Sequence, residues 1–89
     1  MKLKKPIVFE GKEISDLPID FDSLTGQDLI DAATEARSRG DKSPIIELSK
    51  TYQAVVVAKA AKVSSDLIVT LGAKDFSVAT NSAQAFLLE

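Results

Sequence analysis

Leu24-Thr25-Gly26-Gln27-Asp28-Leu29-Ile30-Asp31-Ala32-Ala33-Thr34-Glu35-Ala36-Arg37-Ser38-Arg39-Gly40 is the stretch in which the chain changes its hydrophobic period. Leu29, Ala32, Ala33 and Ala36 fall on one stripe of a helix, while Asp31, Glu35 and Ser38 fall opposite. Thr25 stands three residues before Asp28, as in a capping box. Asp28 and Asp31 suit the positive end of the helix dipole, and Arg37 and Arg39 suit the negative end. Gly40 supplies a C-terminal stop. Start, stop and period agree on a helix.

Upstream, the period is two. Ile7-Val8-Phe9 and Lys12-Glu13-Ile14 lie either side of Glu10-Gly11, and Gly11 can take the left-handed conformation of a tight turn. The pair reads as a hairpin turning at Phe9 to Lys12. Leu17, Ile19 and Phe21 then alternate with Pro18, Asp20 and Asp22, which fits a half-buried extended segment. Pro18 cannot donate to a ladder, so this piece lies on an edge or is merely extended.

Downstream, Ser43-Pro44 pairs an N-cap with proline at the first helical position, so a second helix is expected from there to Lys62. Ile45, Leu48, Tyr52, Val55 and Val56 share one stripe, while Ile46, Val57 and Ala60 form a second apolar edge. Ala54, Ala58 and Ala61 keep the remaining face small. A helix apolar over more than half its circumference is either central to the fold or covered by a partner. Ser64-Ser65-Asp66 opens a short helix over Asp66 to Leu71, closed by Gly72. The last helix spans Lys74 to Leu88, with Phe76, Ala79, Ala83, Phe86 and Leu87 on its stripe and Val78 and Leu88 off it. The expected fold is therefore mainly α, a small helical domain of three to four helices with a short N-terminal β-hairpin. Residues 1–22 form the hairpin and extended arm, and 23–89 the helical part of one single domain.

Composition narrows the functions. A chain of 89 residues supports one core. With 45% apolar and 27% charged residues it should fold, although 6% aromatic content implies a thin core. A net charge of −2 and a pI near 5.1 give no basic footprint for nucleic acid. Histidine and cysteine are both absent, which removes the commonest general base, the thiol nucleophile and thiolate metal sites. The longest apolar run, Ala54 to Ala58, falls far short of the roughly 20 residues of a membrane span. No signal-peptide core follows Met1, so a cytoplasmic protein that is not an enzyme is expected.

Individual residues add little chemistry. Asp22-Ser23-Leu24 matches the modified serine of acyl carrier proteins over three residues only, and Ser23 is read as a local cap. Asp66 to Leu71 and the last helix could mimic a helix-turn-helix, yet Lys74 is that helix's only basic residue. The pairs Asp20 and Asp22, Asp28 and Asp31, and Asp66 and Asp75 lack a glycine-punctuated calcium loop. They suit helix starts instead. Lys2, Lys4 and Lys5 serve as strand-edge charges that discourage aggregation. Lys59 lies in the apolar stripe with its stem against the core, and Tyr52 is read as a core ring. No catalytic, cofactor-binding or metal site is expected.

The order of elements and several strings resemble the phage tail assembly chaperone family of tailed phages and Mu-like prophages. The strings are Leu3, Pro6-Ile7 and Gly11-Lys12, then Leu24 to Leu29, Tyr52 with the small apolar run after it, Asp66-Leu67, Leu71 to Phe76, Asn81 and Phe86-Leu87. The resemblance implies a cytoplasmic protein of virion morphogenesis. Such a protein binds the tape measure protein, meets the tail tube protein through a longer frameshifted form, and self-associates. The off-stripe residues Ile46, Val57, Ala60, Val78 and Leu88 form either a partner face that would accept an amphipathic helix or a surface covered by another helix of the same domain. A small acidic carrier or adaptor and a transcriptional regulator are the alternatives.

Overall fold

The computed structural model describes residues 1–89. The chain runs β1 (Lys2–Phe9), β2 (Lys12–Asp16), a 3-10 turn (Phe21–Ser23), α1 (Gly26–Ser38), a second 3-10 turn (Ile46–Leu48), α2 (Lys50–Ala61), α3 (Ser65–Val69) and α4 (Ala73–Leu87). The fold is thus mainly helical with an N-terminal antiparallel hairpin. No helix is long and apolar enough to cross a membrane.

Phe9 pairs with Lys12 across Glu10 and Gly11, whose φ values of 51° and 78° give the type I′ turn that matches strand twist. Ile7 faces Ile14 and Lys2 faces Asp16, so β1 carries extra residues between Lys2 and Ile7. Pro6 sits in this bulge, where its missing N–H interrupts nothing. Leu17 N–H then bonds Met1 O at 2.7 Å and Asp20 N–H bonds Ala60 O at 3.1 Å, laying the arm on the helices with Leu3 and Leu17 buried. The extended alternation stops short of Phe21, which enters a 3-10 turn and stacks on Phe86 with ring centroids 5.1 Å apart.

In α1 the capping box forms as expected. Asp28 N–H donates to Thr25 Oγ1 at 3.2 Å, and Thr25 N–H donates to the Asp28 carboxylate at 2.9 Å. Ala32 and Ala36 are fully buried.

The second helix starts later than its sequence suggests. Ser49 caps α2 by accepting from Tyr52 N–H, and Ser43-Pro44 remains outside. The reason is tertiary. Asp41 accepts from both Ser43 N–H and the Ser49 hydroxyl, and Gln53 Nε2 reaches back to Glu47 O at 3.1 Å. Ile46 meanwhile packs against the core. These bonds hold residues 43–48 as a folded strap.

Every residue from Tyr52 to Ala58 is buried, because α2 is enclosed by α1, α3 and α4. Small residues make this enclosure possible: Ala54 and Ala58 of α2 meet a core that includes Ala32, Ala36, Ala79 and Ala83. Two residues assigned to a partner face are therefore interior, with Val57 0% and Ala60 3% exposed. The second apolar edge of this helix faces its own domain.

At its end, α2 closes in a Schellman arrangement, with Val63 N–H on Ala58 O at 3.0 Å and Lys62 in the left-handed region at φ 58°. A lysine there bears the Cβ penalty that glycine escapes. Lys62→Gly should therefore raise stability by about 0.5–1 kcal/mol in urea titration, net of glycine's extra unfolded-state entropy. Burial yields a second expectation. Val57→Asp should abolish cooperative unfolding seen by circular dichroism, whereas Val78→Asp, at a position 50% exposed, should change stability by no more than about 0.5 kcal/mol.

Candidate partner-binding surface

Several charged side chains are engaged structurally. Asp31 accepts from Gln27 Nε2 at 2.9 Å, and Asp66 accepts from Arg39 Nη2 at 2.6 Å. Arg39 also reaches Ser65 Oγ at 2.6 Å and pairs with Glu35 at 3.5 Å, tying the end of α1 to α3. No group of three or more acidic, histidine or cysteine side chains is placed to hold a metal ion. Ser23 does not cap α1. Its hydroxyl donates to Asp20 O at 2.8 Å and closes the 3-10 turn.

Asp75, buried at 3% exposure in the first turn of α4, is the main joint between arm and helices. Its two carboxylate oxygens accept from Lys4 N–H and Lys5 N–H, each at 3.0 Å. Those are the amides that the β1 bulge releases from the ladder. The lysines at this edge thus act through their main chain as well as their charge. The two amide bonds hold the Asp75 carboxyl below its ordinary value, against the opposing effect of burial. Asp41 is pushed down to about 2 by its bonds to Ser43 and Ser49. Burial, with help from the charge of Glu47, raises the Tyr52 phenol, which fits the expected core ring.

Large apolar residues stay exposed on the hairpin (Val8), at the end of α3 (Val69) and on α4 (Val78), and a further group adjoins one groove. Ile30 is 62%, Ile45 56%, Leu48 55% and Leu88 67% exposed. Between α1, the strap and the end of α4 lies an open groove of about 410 Å³, lined by Leu29, Ile30, Ala33, Ile46, Tyr52 and Leu87, with Glu47 as its only charged residue. Of the five expected partner residues, Ile46 lines this groove and Leu88 follows directly on Leu87. Val78 precedes Leu88 by ten residues, about 15 Å along α4 and about 80° round its axis. It is exposed but apart. The contribution of α1 was missed, although Ile30, apolar and off the alanine stripe, was a visible signal.

A second cleft joins Asp20, Phe21 and Asp22 to Ser82, Phe86 and Glu89, so the stacked phenyl rings sit among carboxylates beside the same end of α4. Comparison with protein-family models, with curated proteins and with solved structures found no match to this chain.

Asp75 and Asp41 both titrate lower in the folded chain than when unfolded. Their stabilising contribution is complete above the ordinary carboxylate value of about 4 and is lost as pH falls through the folded values. The melting temperature should therefore fall steadily between about pH 4 and pH 2. Asp75→Asn, which keeps one acceptor oxygen but loses the charge, should melt lower at neutral pH and show a shallower acid dependence in calorimetry.

Proposed function

We propose that this chain is a phage tail assembly chaperone that binds and shields the tape measure protein and assists tail-tube polymerisation during virion morphogenesis. The observation that carries this reading is the open apolar groove lined by Leu29, exposed Ile30, Ile46 and Leu87, on a domain whose α2 core is otherwise closed. A groove walled by one helix, one turn and one helix end suits the i, i+3, i+4 anchors of an amphipathic helix. Tape measure proteins present such helices in long succession, and a chaperone for them must accept many registers. Shallow aliphatic walls with few fixed polar groups permit that tolerance.

The order of strings from Leu3 to Leu87 supports the same reading through its likeness to that family. The protein acts in the bacterial host cytoplasm, without catalysis or a cofactor, by covering apolar surface until assembly replaces it. Tail-tube subunits meet it through a longer frameshifted form, and copies associate along the tape measure protein. A carrier role has less support, since Ser23 follows a hairpin and its hydroxyl is turned to Asp20 O. A regulator role has less support because α4 offers Lys74 as its sole basic residue.

Co-expression with helical fragments of the phage's tape measure protein tests the proposal. The chain should keep those fragments soluble and co-purify with them. Ile30→Asp and Leu88→Asp should retain the melting temperature and each lower affinity about tenfold or more by calorimetric titration. Val78→Asp should bind normally. Fragments that remain insoluble with the chaperone present, or bind Ile30→Asp and Leu88→Asp as tightly as the parent chain, would overturn the reading.

A further inference from the structure

The chain carries two helix-start signals for one helix. Ser43-Pro44 is a cap followed by proline at the position where a missing N–H is harmless. Ser49, used in the structure, is the other. Between them, residues 44–49 are neither helix nor strand apart from the 3-10 turn Ile46–Leu48, and this strap exposes Ile45 and Leu48 by more than half. Continuing α2 backward would place Leu48 and Ile45 four and seven residues before Tyr52, on the same face as that ring.

Polar bonds hold the strap down. Asp41 grips Ser43 N–H at 2.8 Å and the Ser49 hydroxyl, Arg37 Nη1 donates to Ser43 O at 2.7 Å, and Gln53 Nε2 donates to Glu47 O at 3.1 Å. The last of these is a compromise. Gln53 is 1% exposed, and its Oε1 has no partner while its Nε2 serves the strap. A buried acceptor without a donor weakens the closed arrangement. Coiling the strap would exchange these bonds for main-chain bonds from the N–H groups of residues 47–52 to the carbonyls of residues 43–48. It would also lengthen α2 by about 9 Å.

The strap forms one wall of the groove through Ile46 and Glu47, and Tyr52 lies at the α2 end of it. We infer that α2 has two alternative N-termini, Ser49 and Ser43, and that residues 44–49 coil into α2 when a helix fills the groove. In the free chain, burial of Ile46 and the Asp41 bonds favour the strap. In the bound chain, the incoming apolar face replaces Ile46 and covers Ile45 and Leu48, which the free chain leaves in water. The binding surface thereby gains a helical wall that the unbound domain does not display.

The first test needs no partner. Ser49→Ala removes the cap used in the free state and puts the best helix former inside the longer helix. Residues 44–49 should then shift to helical Cα chemical shifts, and the far-UV helical signal should grow by about an eighth, the share that these residues add to the present helices. Adding Ser43→Ala and Pro44→Gly, which removes the upstream start, should reverse both changes. Asp41→Ala, which removes both acceptor oxygens, releases Ser43 and Ser49 while leaving both caps in place, and serves if Ser49→Ala fails to fold. Non-helical shifts at residues 44–49 in every folded variant of this pair would overturn the inference.

The second test rests on the function proposed above. In the unmodified chain, residues 44–49 should become helical on adding the tape measure fragment. Binding with unchanged shifts at these residues would refute coupling to the groove. Absence of binding would count against the proposed function, leaving the first test to decide whether α2 has two starts.

Discussion

Enclosure of α2 on all sides is the constraint from which the rest of the molecule follows. A helix with seven consecutive buried residues, Tyr52 to Ala58, must be met by a neighbour in every direction. In 89 residues those neighbours must be short and close. Alanine supplies the closeness, because Ala32 and Ala36 from α1 and Ala79 and Ala83 from α4 bury completely without holding their helices away. The same economy leaves little apolar material elsewhere. Part of the surplus aliphatic surface lies where the wrapping helices end and a turn must complete the circuit, and part on the hairpin, where Val8 is exposed.

That geometry explains why some of the fold was legible in the sequence and some was not. The hairpin turn could be read because Glu10-Gly11 leaves few alternatives at φ above zero. The ends of α1 could be read because Thr25 and Asp28 satisfy one another locally. The start of α2 could not, since Ser43 and Ser49 are both competent caps. The choice depends on Asp41, Gln53 and the packing of Ile46, which no local pattern encodes. Periodicity also fails to assign faces on a helix that is buried all round. Val57 and Ala60 were grouped with Ile46 on that basis, and only Ile46 lies by the groove. Ile30 and Leu87 come together through tertiary packing, being distant in sequence.

Electrostatics here serves placement more than chemistry. The notable carboxylates sit where main-chain N–H groups lack partners: Asp28 at the start of α1, Asp41 before the strap and Asp75 at the bulge. Each converts an irregular piece of backbone into a fixed one. Together they let a chain without cysteine hold a hairpin, a strap and a helical bundle in a defined relation.

The Asp75 joint has a corollary for substitution. It grips β1 by the amides of Lys4 and Lys5, so what it recognises is chiefly backbone, with the charge of Lys4 adding to the attachment. Most side chains at these two positions leave the two amide donors in place, so the arm tolerates substitution there while it stays docked. Proline alone is barred, having no hydrogen to offer. A single aspartate seventy residues away thus carries a constraint that the two strand positions themselves do not.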